Sequence, residues 1–186
     1  MVVHPSAAQR SRDPRARRCP VALVLVSLLI TACAGCAAPD AQAGDAVPEV
    51  TSAPIPVDVT SPESAVRSYL ERISFAYRVL DSSVASSTVT IAESVRVDAY
   101  VQLNAMEGRG LDQRVEELAI TSVSREETSA IVTAREEWAY RYFSLETLKY
   151  LSEVLTASYE TTYTLVLEDG AWLVDRVDAR PLGEIR

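Results

Sequence analysis

The chain is short of the residues on which most hydrolytic and metal chemistry depends. Its one histidine, His4, lies near the start. It has three cysteines, Cys19, Cys33 and Cys36, and none after residue 36. Without His, neither a Ser-His nor a Cys-His nucleophile can be assembled, and the usual zinc ligand sets are missing. Glycine is scarce, at six residues. Gly108-Arg109-Gly110 reads as a helix terminator rather than a phosphate-cradling loop. No cofactor site is expected. Aromatic residues are absent before residue 60. The apolar runs are also too short for a spanning helix, which needs about 20 apolar residues.

The longest such run, Val21 to Ile30, is the h-region of a signal peptide. Arg10, Arg12, Arg15, Arg17 and Arg18 supply the basic flank before it. Ile30-Thr31-Ala32-Cys33 follows directly and resembles the bacterial lipobox. The resemblance implies cleavage after residue 32 and a diacylglyceryl group on the Cys33 thiol. Two or three acyl chains, at about 0.8 kcal/mol per buried CH2, make a stable membrane anchor. Cys36 fits the box poorly, because Cys33 occupies its −3 position. Cys33 and Cys36 also form a CxxC, but no second ligand pair accompanies it. Cys36 is then a free thiol near the membrane, either inert or able to bridge two molecules.

Processing would remove five Arg and one Asp, leaving 13 basic against 25 acidic residues, a formal net charge of −12. Such a surface repels phosphate backbones and anionic head groups, so nucleic acid is not an expected partner. Residues 33–60 are rich in Ala, Pro and Asp and show no periodicity. They are expected to form a lipidated, disordered tether. The folded domain is expected over 61–181, with a short tail at 182–186.

A helix is announced by Thr60 or Ser61 as cap, Pro62 in the first turn and Glu63 closing a capping box with Thr60. Val66, Leu70, Ile73, Tyr77 and Leu80 form its apolar stripe. A second helix is expected from Thr90, with Ala92, Val95, Ala99, Leu103 and Met106 as its stripe and Gly108 and Gly110 ending or bending it. Leu111, Val115 and Leu118 suggest a short third helix feeding a strand. Leu118, Ile120 and Ser122 begin the alternation of that strand. After a polar turn at 125–128, Ser129 to Phe143 reads as a long strand. Ala130, Val132, Ala134, Glu136, Trp138, Tyr140 and Tyr142 share its more apolar face, which should meet the helices. Residues 144–155 read as either a short helix or a wide loop. Thr156 to Leu167 alternates again, with Tyr159, Thr161, Tyr163, Leu165 and Leu167 on one side. Asp169-Gly170 is a strong hairpin signal. The last strand, Ala171 to Val177, places Trp172 and Val174 together. Two to three helices followed by antiparallel strands define an α+β class with helices on one face of a curved sheet.

The closing hairpin, Tyr163 through Asp169-Gly170 to Trp172 and Val174, resembles the cone fold of nuclear transport factor 2, shared with ketosteroid isomerase and scytalone dehydratase. Tyr100 to Asn104 with Glu136-Glu137-Trp138 is similar to the extracytoplasmic version in teicoplanin-resistance-associated envelope proteins. The plastid-division domain is a further relative. The resemblance covers about 65–178 and brings no catalytic signature with it.

The candidate site is Glu136 with Trp138, Tyr140, Tyr142, Tyr159 and Tyr163. A carboxylate on the aromatic face is desolvated and needs a partner or a function. It is either a general base or ligand anchor, or a structural pair with an Arg such as Arg176. The aromatics are either a ligand groove or ordinary core. Glu116-Glu117 and Glu126-Glu127 read as surface charge, with calcium as a remote alternative. The leading expectation is a non-catalytic binding or scaffolding module on a lipid anchor outside the cytoplasmic membrane. Its partner would be an envelope protein, a peptidoglycan fragment or a small hydrophobic ligand. The alternatives are an isomerase- or dehydratase-like enzyme using Glu136 and a Tyr, and a homodimer with a structural role.

Overall fold

The computed structural model describes residues 44–49 and 56–183. The signal peptide, the lipobox and Cys33 lie outside the described residues. The elements run α1 (Pro62–Val79), a 3-10 turn (Ser82–Ala85), α2 (Ile91–Met106), β1 (Arg109–Arg125), β2 (Ser129–Ser144), β3 (Leu155–Glu168) and β4 (Ala171–Pro181). The strands pair antiparallel in the order β1-β2-β3-β4, and the helices pack on one face. The expected α+β architecture therefore stands. Among the described residues, no helix is long and apolar enough to cross a membrane.

Helix α1 is capped one residue later than the Thr60 box implies. Ser61 accepts from the Ser64 amide at 3.1 Å, and Ser64 Oγ accepts from the Ser61 amide at 3.1 Å. Thr60 instead donates, from amide and hydroxyl, to Asp58, which holds the Asp58 carboxyl below its ordinary range. Ser68 on α1 exchanges two hydrogen bonds with the Asp58 backbone. Val59 O accepts from Trp172 N at 2.9 Å. The domain thus begins a few residues before 61. Residues 44–49, read as tether, also dock. Val47 N donates to Leu148 O, Tyr150 N donates to Asp45 O, and Arg78 donates to Pro48 O.

Helix α2 is capped by Thr90 as expected, but its buried face is Glu93, Val97, Val101 and Asn104. The anticipated stripe points outward, with Val95, Leu103 and Met106 all exposed. Polar side chains occupy the inner face because each has partners there. Glu93 accepts from Tyr69 and Arg96; Asn104 donates to Tyr100 O and accepts from Arg109. Gly108 (φ 68°) ends the helix.

No third helix forms; residues 109–125 are one strand. Register shifts fall between Val115 and Glu117 and between Ile120 and Ser122. The extra residue at Glu116 keeps Leu111, Gln113 and Val115 on the same face as Leu118 and Ile120. A bulged strand thereby acquires the 4-3 spacing of a helix. A third bulge leaves Asp175 unpaired between Val174 and Arg176, so the inward positions of β4 change from Trp172 and Val174 to Val177 and Ala179. Such bulges bend the strands and curve the sheet around α1. Residues 145–154 form a loop, tied back by Ser144 and Lys149 and by Leu151 and Tyr142. Asp169 (φ 49°) and Gly170 (φ 83°) make the expected tight turn.

At the base of the sheet, Gly110 pairs with Phe143. A Cβ at Gly110 would lie 2.1 Å from Phe143 Cζ. The ring is 4% exposed and has little room to retreat. Gly110→Ala should therefore cost about 1–3 kcal/mol by overpacking. In a Phe143→Ala background the same change should be nearly free, as urea unfolding of the double-mutant cycle would show.

Candidate functional site

The inward face of β2 is the one its alternation indicates. Ala130, Val132 and Ala134 are fully buried under the helices, and Glu136 and Trp138 continue the face at 4% and 9% exposure. Tyr140 and Tyr142 follow, half-buried at the rim. On β3, Tyr159 stands opposite Glu136 and Thr161 opposite Ala134, with Tyr163 opposite Val132. These strands and α1 enclose a partly open cavity of about 500 Å³. All six candidate residues, Glu136, Trp138, Tyr140, Tyr142, Tyr159 and Tyr163, line it.

The expected pairing of Glu136 with Arg176 does not form. Arg176 instead binds Asp178 at 2.8 Å. The Glu136 carboxylate accepts from Trp138 Nε1 at 2.8 Å and from the Tyr163 hydroxyl in a short hydrogen bond. Tyr163 reaches it by leaning along the sheet past the small side chains of Ala134 and Thr161. A side chain two positions along the same strand face and one from the neighbouring strand thus hold both carboxylate oxygens. The fixed geometry follows from β pleat and register. Thr161 Oγ1 is buried without a hydrogen bond of good geometry, although its closeness partly offsets the rise in the Tyr163 pKa.

Sequence reasoning missed the helical wall of the cavity. Tyr69, Ile73 and Tyr77 from α1 and Tyr100 from α2 complete it, with Gln113 from β1. Tyr77 was legible only as part of the α1 stripe, and Tyr69 falls outside that stripe. Tyr69 donates to the buried Glu93 at 3.0 Å, and its ring meets Tyr163 edge-on at 6.1 Å. Tyr77 and Tyr100 lie 4.8 Å apart. Two buried carboxylates, Glu93 and Glu136, are thus each bound by a tyrosine, and the two tyrosine rings meet edge to face.

Burial, followed by the charge of Glu93, pushes the Tyr69 phenol well above its ordinary pKa. Burial and then Glu136 do the same for Tyr163. Burial is also the main cause of the upward shifts at Tyr77 and Tyr100. The cavity's deeper hydroxyls stay neutral at any physiological pH. In the unfolded chain these tyrosines would lose their protons near 10.0. Their stabilising contribution is complete below that pH and is lost as pH rises from there toward the raised folded values. An absorbance titration should follow the ionisation of the eight tyrosines. The buried ones should ionise only as near-ultraviolet circular dichroism collapses. Eight equivalent titrations in a folded protein would contradict this.

Among the described residues there is no group of three or more His, Cys, Asp or Glu placed to hold an ion. Glu116 pairs with Arg114 at 2.5 Å, and Glu126 accepts from Ser129 at 3.0 Å.

No family model and no curated protein matches the chain. Similarity appears among solved structures. The intermembrane space region of the chloroplast protein ARC6 superposes with a TM-score of 0.52 at 18% identity, covering 68% of this chain and 99% of that one. An NTF-2 like protein of unknown function from Shewanella oneidensis MR-1 gives 0.39 at 16% identity, covering 64% and 98%. A ketosteroid isomerase-like protein from Erwinia carotovora atroseptica SCRI1043 gives 0.40 at 16% identity, covering 68% and 97%. At these identities the likeness is one of fold alone.

Proposed function

We propose that this protein is a lipid-anchored, extracytoplasmic binding module that holds a small organic ligand in its cone. The observation behind the ligand-binding part is the open cavity itself. A purely structural domain would fill about 500 Å³ with side chains, because protein interiors are close-packed. Pockets of this size lined by aromatic groups and a few fixed polar groups are typical of small-molecule sites. The anchor rests on the lipobox at Cys33, and a kinship with teicoplanin-resistance-associated envelope domains would place the module in the cell envelope. That a domain of this fold lies in an intermembrane space supports a setting between or beside membranes.

A second reading is favoured by one feature: Glu136 sits in the cavity beside a Tyr hydroxyl, as an isomerase-like enzyme would require. Against it, both Glu136 oxygens already accept hydrogen bonds from groups of the sheet. A general base needs an oxygen lone pair aimed at the substrate. Among the described residues, no His or second carboxylate lines the cavity. Glu136 is better placed to anchor charge than to move a proton.

Two experiments test the proposal. Radiolabelled palmitate should enter the wild-type chain and not Cys33→Ser; equal labelling would remove the anchor. Native mass spectrometry of the purified protein should release a small molecule on denaturation. Gln113→Trp, which fills the cavity from β1, should release none. Identical spectra from the two would remove the ligand-binding reading.

A further inference from the structure

The composition of the cavity wall is selective. Among the described residues, none of its lining side chains is cationic, and Glu136 is its one carboxylate. The rest is dominated by aromatic rings, from Tyr69, Tyr77, Tyr100, Tyr140 and Tyr159 around Trp138 beside the carboxylate. An anionic or strongly electron-rich ligand would meet Glu136, and Arg109, the cation stacked on Tyr142 at the rim, is already paired with Glu107. A purely neutral apolar ligand would leave the carboxylate, held by the Trp138 and Tyr163 hydrogen bonds, buried without a counter-charge. A cation with apolar arms satisfies both constraints. Ring faces attract it through their quadrupole, and a desolvated carboxylate supplies the counter-charge. Aromatic cages of this composition are the usual receptors for quaternary ammonium groups.

The protein uses the same attraction elsewhere in its own structure. Arg109 stacks at 4.1 Å over the Tyr142 ring at the cavity rim, Arg141 at 4.3 Å over Tyr150, and Arg125 at 4.9 Å over Trp172. The hydroxyls of the cage add lone pairs that can accept from a protonated amine.

Resting on the ligand-binding reading above, we infer that the cone's ligand is an organic cation, a quaternary or protonated tertiary ammonium with apolar substituents. Its charge would sit between Glu136 and the surrounding rings, and its arms would lie against Leu70 and Ile73 of α1, which also line the cavity.

The test is calorimetric titration of the full mature chain with choline and, in parallel, with its neutral tert-butyl isostere, which differs only in carrying carbon for nitrogen. Choline should bind about tenfold more tightly, the size expected of a partly desolvated cation–π and ion-pair contact. Glu136→Gln keeps one acceptor oxygen for Trp138 and can donate its amide to the Tyr163 oxygen, and should abolish most of that preference, read as the ratio of the two affinities. Tyr140→Leu, at the half-buried rim, is the second variant and should weaken choline more than the isostere. Equal affinity for the two probes, or tighter binding of the neutral one, overturns the cation inference and leaves the ligand-binding reading intact. No binding of either probe, while native mass spectrometry still finds a released molecule, also overturns it. No binding together with no released molecule removes both.

Discussion

Replacing Trp172 with alanine is expected to be the most damaging single truncation in the domain, costing about 3–5 kcal/mol. The side chain is 1% exposed. It follows the Asp169-Gly170 turn and sits opposite Leu167. Its backbone N–H binds Val59, so the residue also ties the lead-in segment to the sheet. Arg125 covers its ring from the end of β1. Truncation removes the largest buried side chain and leaves a cavity where four segments meet. Domains of this size are stable by only about 5–15 kcal/mol, so urea unfolding should show a large fall in midpoint. A loss under about 1 kcal/mol would mean that the closing hairpin does not anchor the core.

The second large effect belongs to Glu136. Glu136→Ala removes the acceptor for both Trp138 Nε1–H and the Tyr163 hydroxyl. Each buried donor left without a partner costs about 1–3 kcal/mol, so the pair should cost about 2–6 kcal/mol. Glu136→Gln, which keeps an acceptor, should lose far less. Adding Tyr163→Phe to Glu136→Ala should return part of the loss, because one orphaned donor disappears with it. This sign distinguishes the hydrogen-bond account from simple loss of packing, which would make the double variant worse. If Glu136→Ala proved neutral, water would be replacing the carboxylate, and the residue would be dispensable to the fold.

The lining of the cone by β2 and β3 was legible because neither strand has a bulge through that region. Strict period-two alternation from Ala130 to Tyr142 and from Tyr159 to Leu165 put every candidate side chain on the correct face. The Asp169-Gly170 turn was legible because its chemistry admits few conformations. What failed did so where a local rule was interrupted. Glu116 and Thr121 shift the register of β1, and the resulting spacing of Leu111, Val115 and Leu118 imitates a helix. On α2 hydropathy picks out Val95, Leu103 and Met106, yet Glu93 and Asn104 face inward with partners contributed by Tyr69, Arg96 and Arg109. Hydropathy cannot assign a polar residue to a core, because the hydrogen bonds that satisfy it exist only in the fold. The helical half of the cavity was hidden because its residues meet the sheet across long stretches of chain. Tyr69 and Tyr100 become site residues only once α1 and α2 are set against the sheet.

The most direct test of the site uses the two tryptophans. The chain has only Trp138 and Trp172, so a nitrogen-15 spectrum contains two indole N–H signals, which Trp172→Phe assigns. The Trp138 signal should exchange slowly with solvent, reflecting its hydrogen bond to Glu136, and should shift in Glu136→Gln. On titration with choline it should move while that of Trp172 stays in place. A fast-exchanging Trp138 indole that ignores both the substitution and the probe would contradict a Glu136-floored, ligand-accessible cone.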